Sequence, residues 1–309
     1  IYTLSLHDAL PISISFNGDG HTLTVNYTTD AEFCGPFRYT YGATIKNLIT
    51  AGTINTSNKH AGGVVGRNGT EKLTLENVKS SVTINSTNSG SAEHGGLVGY
   101  AINVDLIGCA FTGSLLGESS KGCGGLLGWK SNTDNSSANI TDCLFAPANV
   151  TVGATDSYTL AGKNKGVVNV TNSYYTQSLG TMQGKQACSI IPSENVSLSN
   201  ANSGTFYNVS GIISYRPGMI YDAKLYAGNG DQVNLILNYI GSMSPYQTVN
   251  YSASAGTLNG NVLTMPNVDV VINATLTLNV EYELLFTEQN RSFYKFNYPS
   301  TNAAGEPIT

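Results

Sequence analysis

Charge is scarce in this chain. Asp, Glu, Lys and Arg make up 11% of its 309 residues, against about 25% in ordinary globular proteins. Lys and Arg form no cluster, which argues against a nucleic-acid partner, because a phosphate backbone is held by concentrated cations. No run of about 18 apolar residues occurs, so no helical membrane span is expected in this sequence. Cysteine is sparse and odd in number: Cys34, Cys109, Cys123, Cys143 and Cys188 include no CxxC pair, which excludes a simple disulfide framework and an obvious zinc site. HExxH and GxSxG are both missing, so neither a zincin nor a serine-hydrolase nucleophile is predicted, and no cofactor or metal is expected. No stretch of about 12 residues carries helical periodicity.

Small polar residues and 34 glycines fill the space that charge leaves, while 40% of the chain remains hydrophobic. This composition favours strands joined by tight turns. A four-residue pattern recurs: Ile45-Lys46-Asn47-Leu48, Leu75-Glu76-Asn77-Val78, Leu106-Ile107-Gly108-Cys109, Ile140-Thr141-Asp142-Cys143 and Val170-Thr171-Asn172-Ser173. Its third residues are 30, 31, 34 and 30 apart, and Ile54, Ile84, Leu115, Val150 and Leu179 follow seven or eight positions later. A second element alternates with it: Gly62-Gly63-Val64-Val65-Gly66, Gly95-Gly96-Leu97-Val98-Gly99 and Gly124-Gly125-Leu126-Leu127-Gly128. Three strand-length apolar pieces per repeat cannot bury themselves alone, but stacked repeats can. The expected fold is therefore all-β: a right-handed parallel β-helix of about five coils over residues 13–187, opened by a coil at Phe16–Tyr27 and closed by a polar linker at 188–204. Ile45, Leu75, Leu106, Ile140 and Val170 should form one buried ladder. Ile54, Ile84, Leu115, Val150 and Leu179 should form a second, and Val64, Leu97 and Leu126 a third. Val65, Val98 and Leu127 are expected on the opposite side, with Arg67, Tyr100 and Trp129.

The glycine elements resemble the GLUG motif of bacterial surface proteins, also present in some immunoglobulin A metallopeptidases. The resemblance covers residues 13–187 and implies a secreted or cell-surface stalk without chemistry of its own. Residues 205–279 read as a small antiparallel β-sandwich module with strands at Gly211–Tyr215, Gln232–Tyr239, Tyr246–Ala253 and Val268–Leu278. Thr264-Met265-Pro266-Asn267-Val268-Asp269-Val270 resembles the TMPxxDV close of spacer modules in secreted bacterial proteins. Residues 280–309 read as the start of a further domain, and Tyr298–Thr309 looks like the opening of some secreted α/β-hydrolase-like domains. Ile1–Ile12, IYTLSLHDALPI, resembles the in-frame translation of a common sequencing adapter and is set aside from fold reasoning.

Candidate chemistry is thin. Asp105, Asp134 and Asp142 occupy different repeat positions, and Arg38 and Arg67 are the only arginines of the solenoid segment. Asp19-Gly20-His21 and Glu93-His94 are read as turns rather than acid–base pairs. Cys109 and Cys143 share a repeat position, which allows a disulfide but favours a ladder of small buried side chains. Tyr100 and Trp129 follow the glycine element at one position and form a candidate glycan shelf, with a structural side-chain stack as the simpler reading. The favoured function is a non-catalytic extracellular scaffold or adhesin-like module whose partners are surface glycans or host and matrix proteins. A non-catalytic front half of a secreted hydrolase is the alternative, and a β-helix glycan lyase or hydrolase stands third.

Overall fold

The computed structural model describes residues 15–131, 136–163, 166–193, 196–200, 206–208, 225–237 and 247–278. Residues 1–12, the strand expected at Gly211–Tyr215 and everything after residue 278 lie outside the described residues. The described chain is all-β, a parallel solenoid of about five coils followed by a smaller, mainly antiparallel unit.

The first wall stacks Phe16, Ile45, Leu75, Leu106, Ile140 and Val170 in register on successive coils. Ile45, Leu75, Leu106 and Ile140 are wholly buried, and Val170 packs on the same core. The second wall pairs Tyr27, Ile54, Ile84, Leu115 and Val150. Leu179, expected in this ladder, is buried in the same core but lies outside the described strands. The opening coil, Ser15–Asn17 and Thr22–Thr29, pairs in parallel with Thr44–Thr56.

The corner between these walls is made by one residue per coil. Asn47, Asn77, Gly108, Asp142 and Asn172 all have positive φ, the left-handed conformation that Gly, Asn and Asp tolerate best. Asn77 donates its amide to Asn47 Oδ1 at 2.7 Å, and Asn47 donates to Asn17 Oδ1 at 2.9 Å, so the corner column carries its own hydrogen-bond ladder.

The third wall comprises Phe37–Thr40, Val65–Asn68, Val98–Ala101, Leu127–Lys130 and Ala161–Lys163. Here one expectation needs correcting. Val64, Leu97 and Leu126 are fully buried, but so are Val65, Val98 and Leu127. The chain bends at Gly63-Val64 before the strand begins at Val65, so the period-2 alternation is broken between the two apolar residues. The glycines are demanded by close approach, as the second copy shows. A Cβ on Gly95 would lie 2.1 Å from Val98 O, one on Gly96 2.4 Å from the Phe111 ring, and one on Gly99 2.1 Å from His60 O.

The 188–204 linker is also corrected. Lys185–Pro192 is a strand that pairs in parallel with Tyr174–Tyr175 of the last coil. The same strand then pairs antiparallel with Leu225–Gly228 and parallel with Val270–Leu278 of the C-terminal unit. A second strand, Val196–Asn200, pairs with Gln232–Leu237. The C-terminal unit therefore starts before residue 205, and one of its pairings is parallel. Its two sheets share a core that includes Ile190, Val233, Leu235, Leu263, Met265 and Ile272. Ser and Asn made this stretch read as turn-rich, although Val196-Ser197-Leu198-Ser199 alternates as a half-buried strand does. Solenoid and C-terminal unit also meet at Asp231, which is 5% exposed. It accepts from Tyr174 Oη at 3.0 Å and from Gly228 N at 2.7 Å, and it pairs with Lys185. No helix among the described residues is long and apolar enough to cross a membrane.

Candidate functional site

The third wall lifts one side chain per coil into a half-exposed column. Tyr39 pairs with Arg67, Arg67 with Tyr100, and Tyr100 with Trp129. The register thus places Tyr100 and Trp129 over one another on adjacent coils, as their shared position after the glycine element predicts. It also extends the column to Tyr39, which sequence reading missed. Cys34-Gly35-Pro36-Phe37-Arg38 aligns with the glycine elements but keeps only one of their three glycines.

A groove of about 310 Å3 opens beside the Tyr39 end, lined by Tyr39, Tyr41, Arg67, Gly69, Thr70 and Ile102. That volume is at the small end of ligand-binding clefts, roughly 300–1,000 Å3. Tyr41 is 46% exposed, and its hydroxyl accepts from Thr70 Oγ1 at 3.1 Å. Arg67 has its guanidinium carbon 4.8 Å from the Phe33 ring centre and 5.4 Å from that of Tyr100. Arg38 lies 5.1 Å from the Tyr39 ring centre. Among the described residues Arg67 makes no ion pair and donates no side-chain hydrogen bond, so its N–H groups remain open to solvent.

A second left-handed column borders this face. Phe33, His60, Glu93, Gly122 and Asp156 have φ between 55° and 68°. Large side chains at such positions cost about 1–2 kcal/mol each, and the first three make contacts that offset this. Phe33 and His60 stack with centroids 5.0 Å apart, and Tyr100 meets both edge-on. His60 Nε2 lies 3.2 Å from a Glu93 carboxylate oxygen and 3.5 Å from one of Glu32. Burial, followed by the charge of Lys59, lowers the His60 pKa to about 4, so the ring is neutral at pH 7. Burial likewise raises the Glu93 carboxyl above its usual range.

Glu32, His60 and Glu93 are the convergent acid–base set that the sequence did not disclose. The signal was their place two residues before the glycine element, with Phe33 beside Glu32 in the first coil. His60 Nε2 thus lies within contact distance of both carboxylates. Asp19-Gly20 is a turn, as expected, whereas Glu93-His94 is not one: Glu93 has positive φ but faces His60. His94 is completely buried. Its Nδ1 accepts from Ala61 N–H at 3.0 Å and its Nε2 meets Ser86 Oγ at 2.8 Å, while burial lowers its pKa to about 3.

Cys109 and Cys143 are free and buried on neighbouring coils. Each thiol donates to carbonyls, Cys143 to Leu106 O and Cys109 to Leu75 O, both at 3.4 Å. Ser173 continues this column, donating to Ile140 O at 3.3 Å. Asp105 pairs with Lys72 and accepts from Asn139, away from the shelf; Asp142 is a corner residue, and Asp134 lies outside the described residues. No group of three or more His, Cys, Asp or Glu suited to a metal ion occurs among the described residues. Comparison with family models, with curated proteins and with solved structures finds no match to this chain.

Proposed function

We propose that this chain is a non-catalytic extracellular scaffold, of the kind its GLUG-like repeats suggest, and that its third wall binds surface glycans. The observation carrying this reading is the in-register column Tyr39–Arg67–Tyr100–Trp129 beside an open groove. Aromatic faces offer a sugar ring a large apolar contact with a polar edge, and stacked coils repeat that contact at about 4.8 Å. A rigid sheet also loses little entropy when it binds an extended polymer. The experiment is a glycan array probed with the parent, Tyr100→Ala and Trp129→Ala. Binding by the parent that falls about tenfold or more in either variant supports the reading. Equal binding by all three contradicts the assigned face.

A second reading, a β-helix glycan lyase or hydrolase, is favoured by the convergence of Glu32, His60 and Glu93. Its test is a turnover screen on the same glycans with Glu32→Gln and Glu93→Gln. Background rates from the parent are the expected result. Turnover abolished by either variant would replace the scaffold reading with an enzymatic one.

A further inference from the structure

We infer that the groove beside Tyr39 and Arg67 takes an acidic saccharide, with a ligand carboxylate on Arg67. This rests on the glycan-binding reading of the same face and names the class of glycan.

In a chain this poor in charge, the two arginines of the solenoid segment both stand at this end of the third wall, Arg38 over Tyr39 and Arg67 over Phe33 and Tyr100. Stacking occupies the faces of a guanidinium and leaves its in-plane N–H donors available. For Arg67 those donors have no protein acceptor among the described residues, although Arg67 lines the groove. The nearby carboxylates are directed elsewhere. Glu32 and Glu93 face His60 Nε2, and Glu93 also lies 3.9 Å from Lys59. Arg38 donates to the Glu32 backbone carbonyl rather than to its carboxylate. The charges at this end are therefore three cations, Lys59, Arg38 and Arg67, and two anions, Glu32 and Glu93, and neutral His60 adds nothing to either side. Glu71 stands exposed on the chain next to Thr70, where water and salt screen it. A cation with open donors, set between aromatic rings and next to hydroxyls, matches a carboxylated sugar better than a neutral one. Its planar fork matches a carboxylate in two hydrogen bonds, while Tyr39 and Tyr41 offer faces for the ring that bears it.

The test compares each sugar with its own masked form. Calorimetric titration of the intact chain uses oligogalacturonate, oligoglucuronate and sialylated oligosaccharides, each beside its methyl ester, which keeps the ring and removes the charge. The acid forms should bind about tenfold to a hundredfold more tightly than the esters, the range of a charge-assisted hydrogen-bond pair, and raised salt should narrow the gap. Arg67→Gln should abolish the gap, whereas Arg67→Lys, which keeps the charge without the fork, should retain part of it. Unchanged thermal unfolding checks that both variants fold. Equal binding of acids and esters, or a gap that survives in Arg67→Gln, overturns the acidic-saccharide inference and leaves the glycan reading standing. Binding of neither form overturns both.

Discussion

Asn47, Asn77, Gly108, Asp142 and Asn172 share one backbone conformation, with φ between 43° and 58°. The repeat is therefore specified at its corners by conformational tolerance as much as by hydrophobicity. Asn77→Ala should lose stability by about 1–2 kcal/mol for the left-handed backbone, plus the amide bond to Asn47. Asn77→Gly should lose less. Urea unfolding of the two variants is the check, and equal midpoints would contradict a conformational origin. The buried histidines make a second residue-scale prediction. Above pH 6.5, His60 and His94 are neutral in both folded and unfolded chains. As pH falls below 6.5 the unfolded chain takes up protons that the fold refuses, so stability declines until about pH 4 for His60 and about pH 3 for His94. Each contributes at most about 1.4 kcal/mol per pH unit. Glu93, whose carboxyl is raised, acts in the opposite sense and offsets part of the loss. Melting curves from pH 7.5 to 4.5 should fall in the parent and fall less steeply in His94→Gln. Identical slopes would show that His94 is protonated in the fold.

At the scale of elements, the ladders are the main source of stability. Leu106 is wholly buried between Leu75 and Ile140. Leu106→Asp would place a charge in mid-stack, at an expected cost of several kcal/mol, and should melt adjoining coils with it; a variant as stable as the parent would end the solenoid account. The joint at Asp231 is a separate element. Asp231→Asn should weaken the pairing of Lys185–Pro192 with Leu225–Gly228 by about 1–3 kcal/mol. Amide exchange in those strands should then rise while the coil strands stay protected. All three ladders were legible in the sequence, Leu179 excepted, because an aliphatic residue recurs once per coil. The inward placement of Val65, Val98 and Leu127 was not, because the bend at Gly63-Val64 interrupts alternation without a sequence mark. The Lys185–Pro192 and Val196–Asn200 strands were hidden by their polar composition. The Tyr100–Trp129 shelf could be read from position alone. Tyr39 and Glu32 could not, because the glycine element of their coil has diverged, and without Glu32 in place the convergence on His60 and Glu93 was not visible either.

At the scale of the molecule, stacked coils hold Tyr39, Arg67, Tyr100 and Trp129 as fixed points on one wall, and a strand shared with the C-terminal unit continues the stack beyond the last coil. Such an arrangement presents a continuous surface along which an extended ligand can lie. Trp129 is the only tryptophan in the sequence, so its emission reports on this wall without any label. The most direct test is a titration of the intact chain with the glycan panel, following Trp129 fluorescence and product release in the same samples. The account predicts a saturable change in emission that is lost in Tyr100→Ala, with no product formed. An emission unchanged by every glycan, or product appearing as the glycan binds, would contradict it.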